Sequence, residues 1–130
     1  MINRRLFALA LAGSAFLSQT LTAEAFEIRP YDKAVVDKLI ASGKPVVLHV
    51  YASWCLQCHM QASILDSLKT AGTYDKITFF RVDYDGQKDV VTALNCPRST
   101  VIAYKGGKET TRMSWGTSEA SVVDVLKTLL

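Results

Sequence analysis

Two cysteines and a histidine share one short stretch of the sequence, "YASWCLQCHM", residues 51–60. Cys55 and Cys58 have the Cys-x-x-Cys spacing of a redox dithiol, in which one thiolate attacks a disulfide and the second thiol completes the exchange. With His59 directly after them, the same residues also fit the Cys-x-x-Cys-His pattern of c-type haem attachment. The choice between these chemistries depends on the elements that position the side chains.

The residues around the cysteines predict a buried strand followed by a helix. The run "PVVLHVY", residues 45–51, is apolar at nearly every position and rich in valine, as in a strand that is buried on both faces. Residues 55–70 are predicted to form a helix. Its apolar stripe would consist of Met60, Ile64, Leu65 and Leu68. The dithiol is therefore expected where the chain passes from a sheet into a helix.

The remaining chain continues this alternation of strands and helices. A helix is predicted from the N-cap Asp32 to Gly43, and Gly106-Gly107 predicts a tight hairpin between two strands. The other predicted segments are a first strand "FEIRPYD", a strand at 76–83, a helix "GQKDVVTAL", strands "TVIAYK" and "KETTRMSW", and a last helix capped by Thr117. The order β-α-β-α-β-α-β-β-α indicates an α/β fold with helices on both faces of a mixed sheet.

The first 25 residues have the pattern of a secretory signal peptide. "MINRR" supplies positive charge, "LFALALAGSAFL" is an uncharged apolar run, and Ala23-Glu24-Ala25 fits an A-x-A cleavage site. A membrane span takes about 20 apolar residues, so we expect cleavage and no stable membrane insertion. We predict a signal peptide at 1–25 and one domain at 26–130, exported to the periplasm, where disulfides persist.

The net charge and the number of cysteines limit the possible functions of the protein. A formal net charge of +3 over 130 residues, without a Lys/Arg block, gives no support for nucleic-acid binding. The chain has three cysteines, so Cys96 is left over when Cys55 and Cys58 pair. No oligomerisation pattern is visible, and a monomer is expected.

The predicted helix assigns different roles to the two cysteines. Cys55 would stand at the helix N-terminus, where free N–H groups and the helix dipole stabilise a thiolate and lower its pKa. Cys58 lies one turn further on the same helical face. Cys55 is therefore the predicted nucleophile, and Cys58 is the predicted resolving thiol.

Trp54-Cys55-x-x-Cys58, after a hydrophobic strand that ends in "VYAS", resembles the active site of thioredoxin-like proteins. The resemblance extends through "FFRVDYD", "STVIAYKGGKE" and the last helix. It implies a thioredoxin-like three-layer α/β/α sandwich, thiol–disulfide exchange with protein substrates, a part in cell redox homeostasis, and no cofactor. Exported proteins, apocytochromes under maturation and a membrane electron donor are the partners it suggests. Trp54 would cover the dithiol.

The sequence departs from the family pattern around the dithiol. Leu56-Gln57 replaces the usual dipeptide between the cysteines, so reductant and oxidant are not distinguished. Ser99 takes the place of the family's cis-proline, with Pro97 two residues earlier, and either a trans bond before Ser99 or a locally shifted loop is expected. Cys96 lies in the same loop, which is expected to face Cys55. It is a spare thiol, a third redox-active sulfur or a metal ligand.

His49 replaces the buried aspartate of thioredoxins. It is either a hydrogen-bonded core histidine or the neutral base that accepts the proton of Cys58. Arg81, expected on the neighbouring strand, would disfavour protonated His49 or extend to solvent. His59 is expected to point to solvent from the first helical turn.

Three other functions fit parts of the sequence, and the presence of both cysteines argues against one of them, a redox-silent interaction domain. Haem attachment would use His59 and Met113 as axial ligands, but a parallel sheet leaves no obvious haem crevice. A metal-binding module would hold Cu(I) or Zn²⁺ with Cys55, Cys58, Cys96 and either histidine. The position of the dithiol favours an exported thiol–disulfide oxidoreductase.

Overall fold

A computed structural model describes residues 26–130, so the predicted signal peptide at 1–25 lies outside the described residues. The elements are β1 (Ile28–Pro30), α1 (Lys33–Ala41), β2 (Val46–Tyr51), α2 (Leu56–Leu68), β3 (Thr78–Asp83), α3 (Lys88–Leu94), β4 (Thr100–Lys105), β5 (Lys108–Ser114) and α4 (Glu119–Lys127). This order matches the order predicted from the sequence. In this part of the chain, no helix combines the length and hydrophobicity that a membrane crossing requires.

The strands form one mixed sheet with β2 at its centre. The strand order is β1-β3-β2-β4-β5, and β1, β3 and β2 run parallel. β4 is antiparallel to β2, and β5 is antiparallel to β4. Gly106 and Gly107 make the hairpin between β4 and β5 with φ of 65° and 81°, a conformation that glycine adopts without strain.

Two hydrophobic clusters cover the two faces of the sheet. Successive residues of a strand point to opposite faces, and Val47 packs with Leu65 of α2 and Leu126 of α4. Leu48 packs with Val36 of α1 and with residues of α3 on the other face. Both clusters draw on β2, which explains why its residues from Val46 to Val50 are buried. The result is the expected three-layer arrangement.

The inner face of α2 differs from the predicted stripe. Met60 is 43% exposed, whereas Cys58, Gln61 and Leu65 are buried. The prediction that Met60 belongs to the core was wrong, because Cys58 turns inward and residues three and four positions further share its face. Ile64 and Leu68 are only partly buried at the edge of this face.

The ends of α1 and α4 show how local sequence fixes the helix boundaries. Asp32 is the N-cap of α1, as predicted, and its side chain accepts hydrogen bonds from Ala34 N and Val35 N. The cap of α4 is Ser118, which accepts from Ser121 N at 3.1 Å. The prediction of Thr117 as this cap was therefore wrong by one residue.

Candidate active site

Cys55 lies at the junction of β2 and α2, as predicted. It is the N-cap of α2, and its Sγ accepts a hydrogen bond from Cys58 N at 3.2 Å. The side chain of an N-cap satisfies backbone N–H groups that have no partner within the helix. A negative charge on Cys55 Sγ strengthens this hydrogen bond, so the position favours the thiolate.

The two thiols differ in their tendency to ionise. Burial raises the pKa of Cys55, but hydrogen bonding with Cys58 and the positive charge of Arg98 outweigh it, and the net pKa lies below the ordinary value for cysteine. Burial raises the pKa of Cys58, and the hydrogen bond to Cys55 raises it further. Near neutral pH, Cys55 is therefore the more readily ionised sulfur, while Cys58 retains its proton.

Ser99 fixes the loop that faces the dithiol. Ser99 is buried, its φ is 60°, and residues 26–130 contain no cis peptide bond. Ser99 N donates to Val50 O at 2.9 Å, and Ser99 O accepts from Trp115 N at 2.8 Å. These two bonds hold a left-handed conformation that is unfavourable for a residue with a Cβ.

A buried amide connects His49 to this loop. His49 Nε2 lies 3.0 Å from Gln61 Oε1, and Gln61 Nε2 donates to Ser99 O at 3.1 Å and to Gly116 O at 2.8 Å. Because the amide nitrogen faces two carbonyl oxygens, Oε1 must be the acceptor toward the ring. The proton of neutral His49 is therefore on Nε2, and Nδ1 is left as a buried atom without a partner in the described residues.

His49 is neutral in this environment. Burial lowers its pKa to about 4, and Arg81 lowers it as well, while the hydrogen bond to Gln61 acts in the opposite direction. His49 is hydrogen-bonded to Gln61. Within residues 26–130, no hydrogen bond joins His49 to Cys58. This geometry is that of a hydrogen-bonded core histidine. Proton transfer from Cys58 to His49 stays a prediction.

The sequence analysis did not identify Gln61 as a buried residue of the site. Its signal was the spacing of three residues after Cys58 and four before Leu65, which places a polar side chain on the buried face of α2. Its partners at Ser99 and Gly116 are distant in sequence, so nothing local indicated that the amide would be satisfied.

Trp54 and Arg98 border Cys55 on the solvent side. Trp54 is 59% exposed, and its Nε1 donates to Asp85 at 2.8 Å. The guanidinium carbon of Arg98 lies 4.6 Å from the centre of the Trp54 ring and 4.9 Å from that of Trp115. The sequence interpretation also missed Arg98, whose only signal was its place directly before Ser99. That Trp54 covers the dithiol stays a prediction.

Cys96 belongs to a different environment from the dithiol. It is half-buried and packs with the cluster on the α1 and α3 face of the sheet, and burial raises its pKa. Cys55 and Cys58 pack instead with Ala52, Tyr51 and Tyr84. Across 26–130, no three His, Cys, Asp or Glu side chains are grouped as metal ligands, so the structure does not assemble the ligand set that the metal hypothesis requires.

His59 and Met113, the axial ligands of the haem hypothesis, have different surroundings. His59 is exposed, donates from Nε2 to Ser53 O at 2.6 Å, and lies 3.0 Å from Tyr51 Oη through Nδ1. Met113 packs against the core, where its Sδ accepts from Gly116 N at 3.1 Å and lies 3.9 Å from Gln61 Nε2. The structure does not present His59 and Met113 as a pair of axial ligands.

Known proteins share this architecture and sequence pattern. The thioredoxin family model matches residues 24–128. Thioredoxin-2 of Saccharomyces cerevisiae is 39% identical over 79 residues, covering 59% of this chain and 74% of that protein. Putative thioredoxin-5 of Dictyostelium discoideum is 28% identical over 102 residues, covering 78% and 96%. The crystal structure of Trxlp from Edwardsiella tarda is 33% identical, with a TM-score of 0.70, and the match covers 77% of this chain and 98% of that one. These matches confirm the predicted thioredoxin-like fold.

Replacing Gln61 by leucine tests the buried amide. Gln61→Leu leaves His49 Nε2–H and the Gly116 carbonyl without the amide that pairs with them, while Ser99 O keeps only its hydrogen bond from Trp115 N. We expect the free energy of unfolding in urea to fall by about 1–3 kcal/mol, the cost of an unsatisfied buried polar group. Met60→Leu, on the exposed face of the same helix, is the control and should change little. Equal stability of wild type and Gln61→Leu would contradict this account.

The burial of neutral His49 predicts a loss of stability in mild acid. The folded pKa of about 4 lies below the ordinary 6.5, so the unfolded chain binds a proton first as the pH falls. The stabilisation is complete above pH 6.5 and is lost between pH 6.5 and about 4, at about 1.4 kcal/mol per pH unit. Urea unfolding between pH 7 and 5 should show this slope.

The second histidine supplies the control for this measurement. His49→Gln should remove the slope, whereas His59→Gln, on the surface, should keep it. A slope that persists in His49→Gln would show that another group causes the loss.

Proposed function

We propose how this chain, which belongs to the thioredoxin family, carries out its reaction. The chain is a thiol–disulfide oxidoreductase with a Cys-x-x-Cys motif. In our proposal it is exported to the periplasm and exchanges its Cys55–Cys58 dithiol with disulfides of protein substrates. The single observation that supports these roles most directly is the hydrogen bond from Cys58 N to Cys55 Sγ at the start of α2.

The reducing direction begins with the thiolate of Cys55. Cys55 Sγ attacks one sulfur of the substrate disulfide, the substrate S–S bond breaks, and the other substrate sulfur leaves as a thiolate that takes up a proton. Cys58 then loses its proton and attacks Cys55 Sγ in the mixed disulfide. This second step forms the Cys55–Cys58 disulfide and releases the remaining substrate sulfur, so two electrons pass from the dithiol to the substrate. The oxidising direction is the reverse.

The proton of Cys58 controls the second step. Because burial raises the pKa of Cys58, a mixed disulfide persists until a base removes this proton. We retain neutral His49 as the candidate acceptor. Its pKa of about 4 means that a proton taken from Cys58 would be passed on quickly rather than held.

Export is proposed from the sequence of residues 1–25. A basic start, a short apolar run and Ala23-Glu24-Ala25 are together typical of a cleaved signal peptide. An oxidising periplasm would keep oxidising the dithiol, so an enzyme that acts there as a reductant needs an electron supply. A membrane electron donor is the candidate for this supply, and the proposed active form is a monomer.

Serine variants test the division of roles between the cysteines. Cys55→Ser should reduce a disulfide peptide no faster than the uncatalysed rate, with dithiothreitol as electron donor, because no thiolate remains to attack. Cys58→Ser should form mixed disulfides that stay trapped on non-reducing gels. Cys96→Ser is the matched control and should retain activity. Full activity of Cys55→Ser, or the absence of trapped adducts with Cys58→Ser, would refute the assignment.

The export proposal predicts a defined mature N-terminus. Full-length protein produced in a Gram-negative host should be found in the periplasmic fraction with Phe26 as its first residue, as measured by mass spectrometry. Ala25→Leu should leave the precursor uncleaved, because the cleavage site requires a small residue. Uncleaved wild-type protein in the cytosolic fraction would overturn the proposal.

A further inference from the structure

An arginine lies between two indole rings beside the attacking sulfur. The guanidinium carbon of Arg98 is 4.6 Å from the centre of the Trp54 ring and 4.9 Å from the centre of the Trp115 ring. Both distances are within the range of cation–π attraction. Trp54 is 59% and Trp115 42% exposed, so the cation is held at a partly open surface rather than in the core.

The backbone brings Arg98 to this position at a conformational cost. Ser99 and Trp115 both have left-handed backbones, with φ of 60° and 69°, and Trp115 N donates to Ser99 O at 2.8 Å. Residues with a Cβ adopt this conformation only where surrounding contacts impose it, and such strain is concentrated at functional sites. Here the strained backbone places Arg98, the residue before Ser99, within cation–π distance of both the Trp54 and the Trp115 rings.

Arg98 has no carboxylate partner within the described residues. The ion pairs of this part of the chain involve other side chains, and Arg98 Nε is buried without a hydrogen-bond partner. Asp85 accepts the indole N–H of Trp54 instead. The negative charge on which Arg98 does act is that of the Cys55 thiolate, because the guanidinium lowers the pKa of Cys55.

This pairing with Cys55 cannot last through the reaction. When Cys55 attacks a disulfide, the negative charge moves from Cys55 to the sulfur that leaves, so the charge that Arg98 stabilised at Cys55 is gone. A guanidinium stacked on aromatic rings still presents its planar edge, which is suited to two parallel hydrogen bonds with a carboxylate. A substrate that carries a carboxylate beside its half-cystine would supply the missing charge.

We propose that Arg98, Trp54 and Trp115 form a carboxylate-binding subsite that selects disulfide substrates with an acidic residue next to the half-cystine. The inference rests on the proposed function, because the substrate disulfide must dock against Cys55. Leu56 is 70% and Met60 43% exposed, and they lie one turn apart on the outer face of α2, where apolar side chains of the same peptide can pack.

Three disulfide peptides that differ at one flanking position test this subsite. The residue beside the half-cystine is Glu, Gln or Lys, and kcat/KM for reduction is measured for each peptide with the wild-type enzyme. We expect a preference for Glu over Gln of about three- to tenfold, with Lys the poorest, from a partly sheltered ion pair. The preference should shrink as salt is added.

Charge variants identify the residue that is responsible for the preference. Arg98→Gln should bring the Glu-to-Gln ratio close to one, and Arg98→Lys should retain part of it, because lysine keeps the charge without the planar fork. Lys108→Gln, at an exposed position of β5, removes the same charge at another place and should leave the ratio unchanged.

The possible outcomes separate this inference from the proposed function. Equal rates on all three peptides with the wild-type enzyme would overturn the subsite while leaving the exchange reaction intact. The subsite would also be overturned if Arg98→Gln slowed all three peptides by the same factor, since Arg98 would then act only on the Cys55 thiolate. Failure of the wild-type enzyme to reduce any of the peptides would overturn both proposals. The comparison of peptides on wild-type enzyme requires no variant to fold.

Discussion

The chemistry of this protein depends on one hydrogen bond, from the backbone N–H of Cys58 to the sulfur of Cys55. The bond exists because Cys55 is the N-cap of α2, a position where serine, threonine or aspartate would normally supply the acceptor. A thiol is a weak acceptor and a thiolate a strong one, so capping the helix and ionising the nucleophile become the same event. The junction between β2 and α2 must therefore fall at this residue, and the buried valine-rich strand before it fixes that point.

A second constraint is the polar contact buried beneath the dithiol. Gln61 joins His49 on β2 to the carbonyls of Ser99 and Gly116, which belong to the two loops on either side of β4 and β5. Buried polar groups stabilise a structure only when their partners are present together, so these segments hold one another in position. Ser99 has a left-handed backbone and occupies the position where the family usually has a cis-proline. The same contacts keep Ser99 in place.

The sequence predicted the parts of this structure that depend on local pattern. The element order, the central position of "PVVLHVY", the cap at Asp32 and the place of Cys55 at a strand–helix junction follow from periodicity and capping chemistry. The inner face of α2 did not, because an apolar stripe counts Met60 and passes over Gln61. The amide of Gln61 is satisfied by carbonyls 38 and 55 positions away, and these partners exist only once the sheet has formed. The stacking of Arg98 on Trp54 and Trp115 likewise exists only once the chain has folded.

The hydrogen bond that favours the Cys55 thiolate and the proposed carboxylate-binding subsite lie in different parts of the fold. The N–H of Cys58 belongs to the first turn of α2, so the basic ionisation of Cys55 is tied to the fold itself. Arg98 stands on a loop and is half-buried, and its side chain packs on exposed rings rather than in a hydrophobic cluster. A change at Arg98 can therefore alter the charge that meets a substrate without removing the helix N–H that holds the nucleophile.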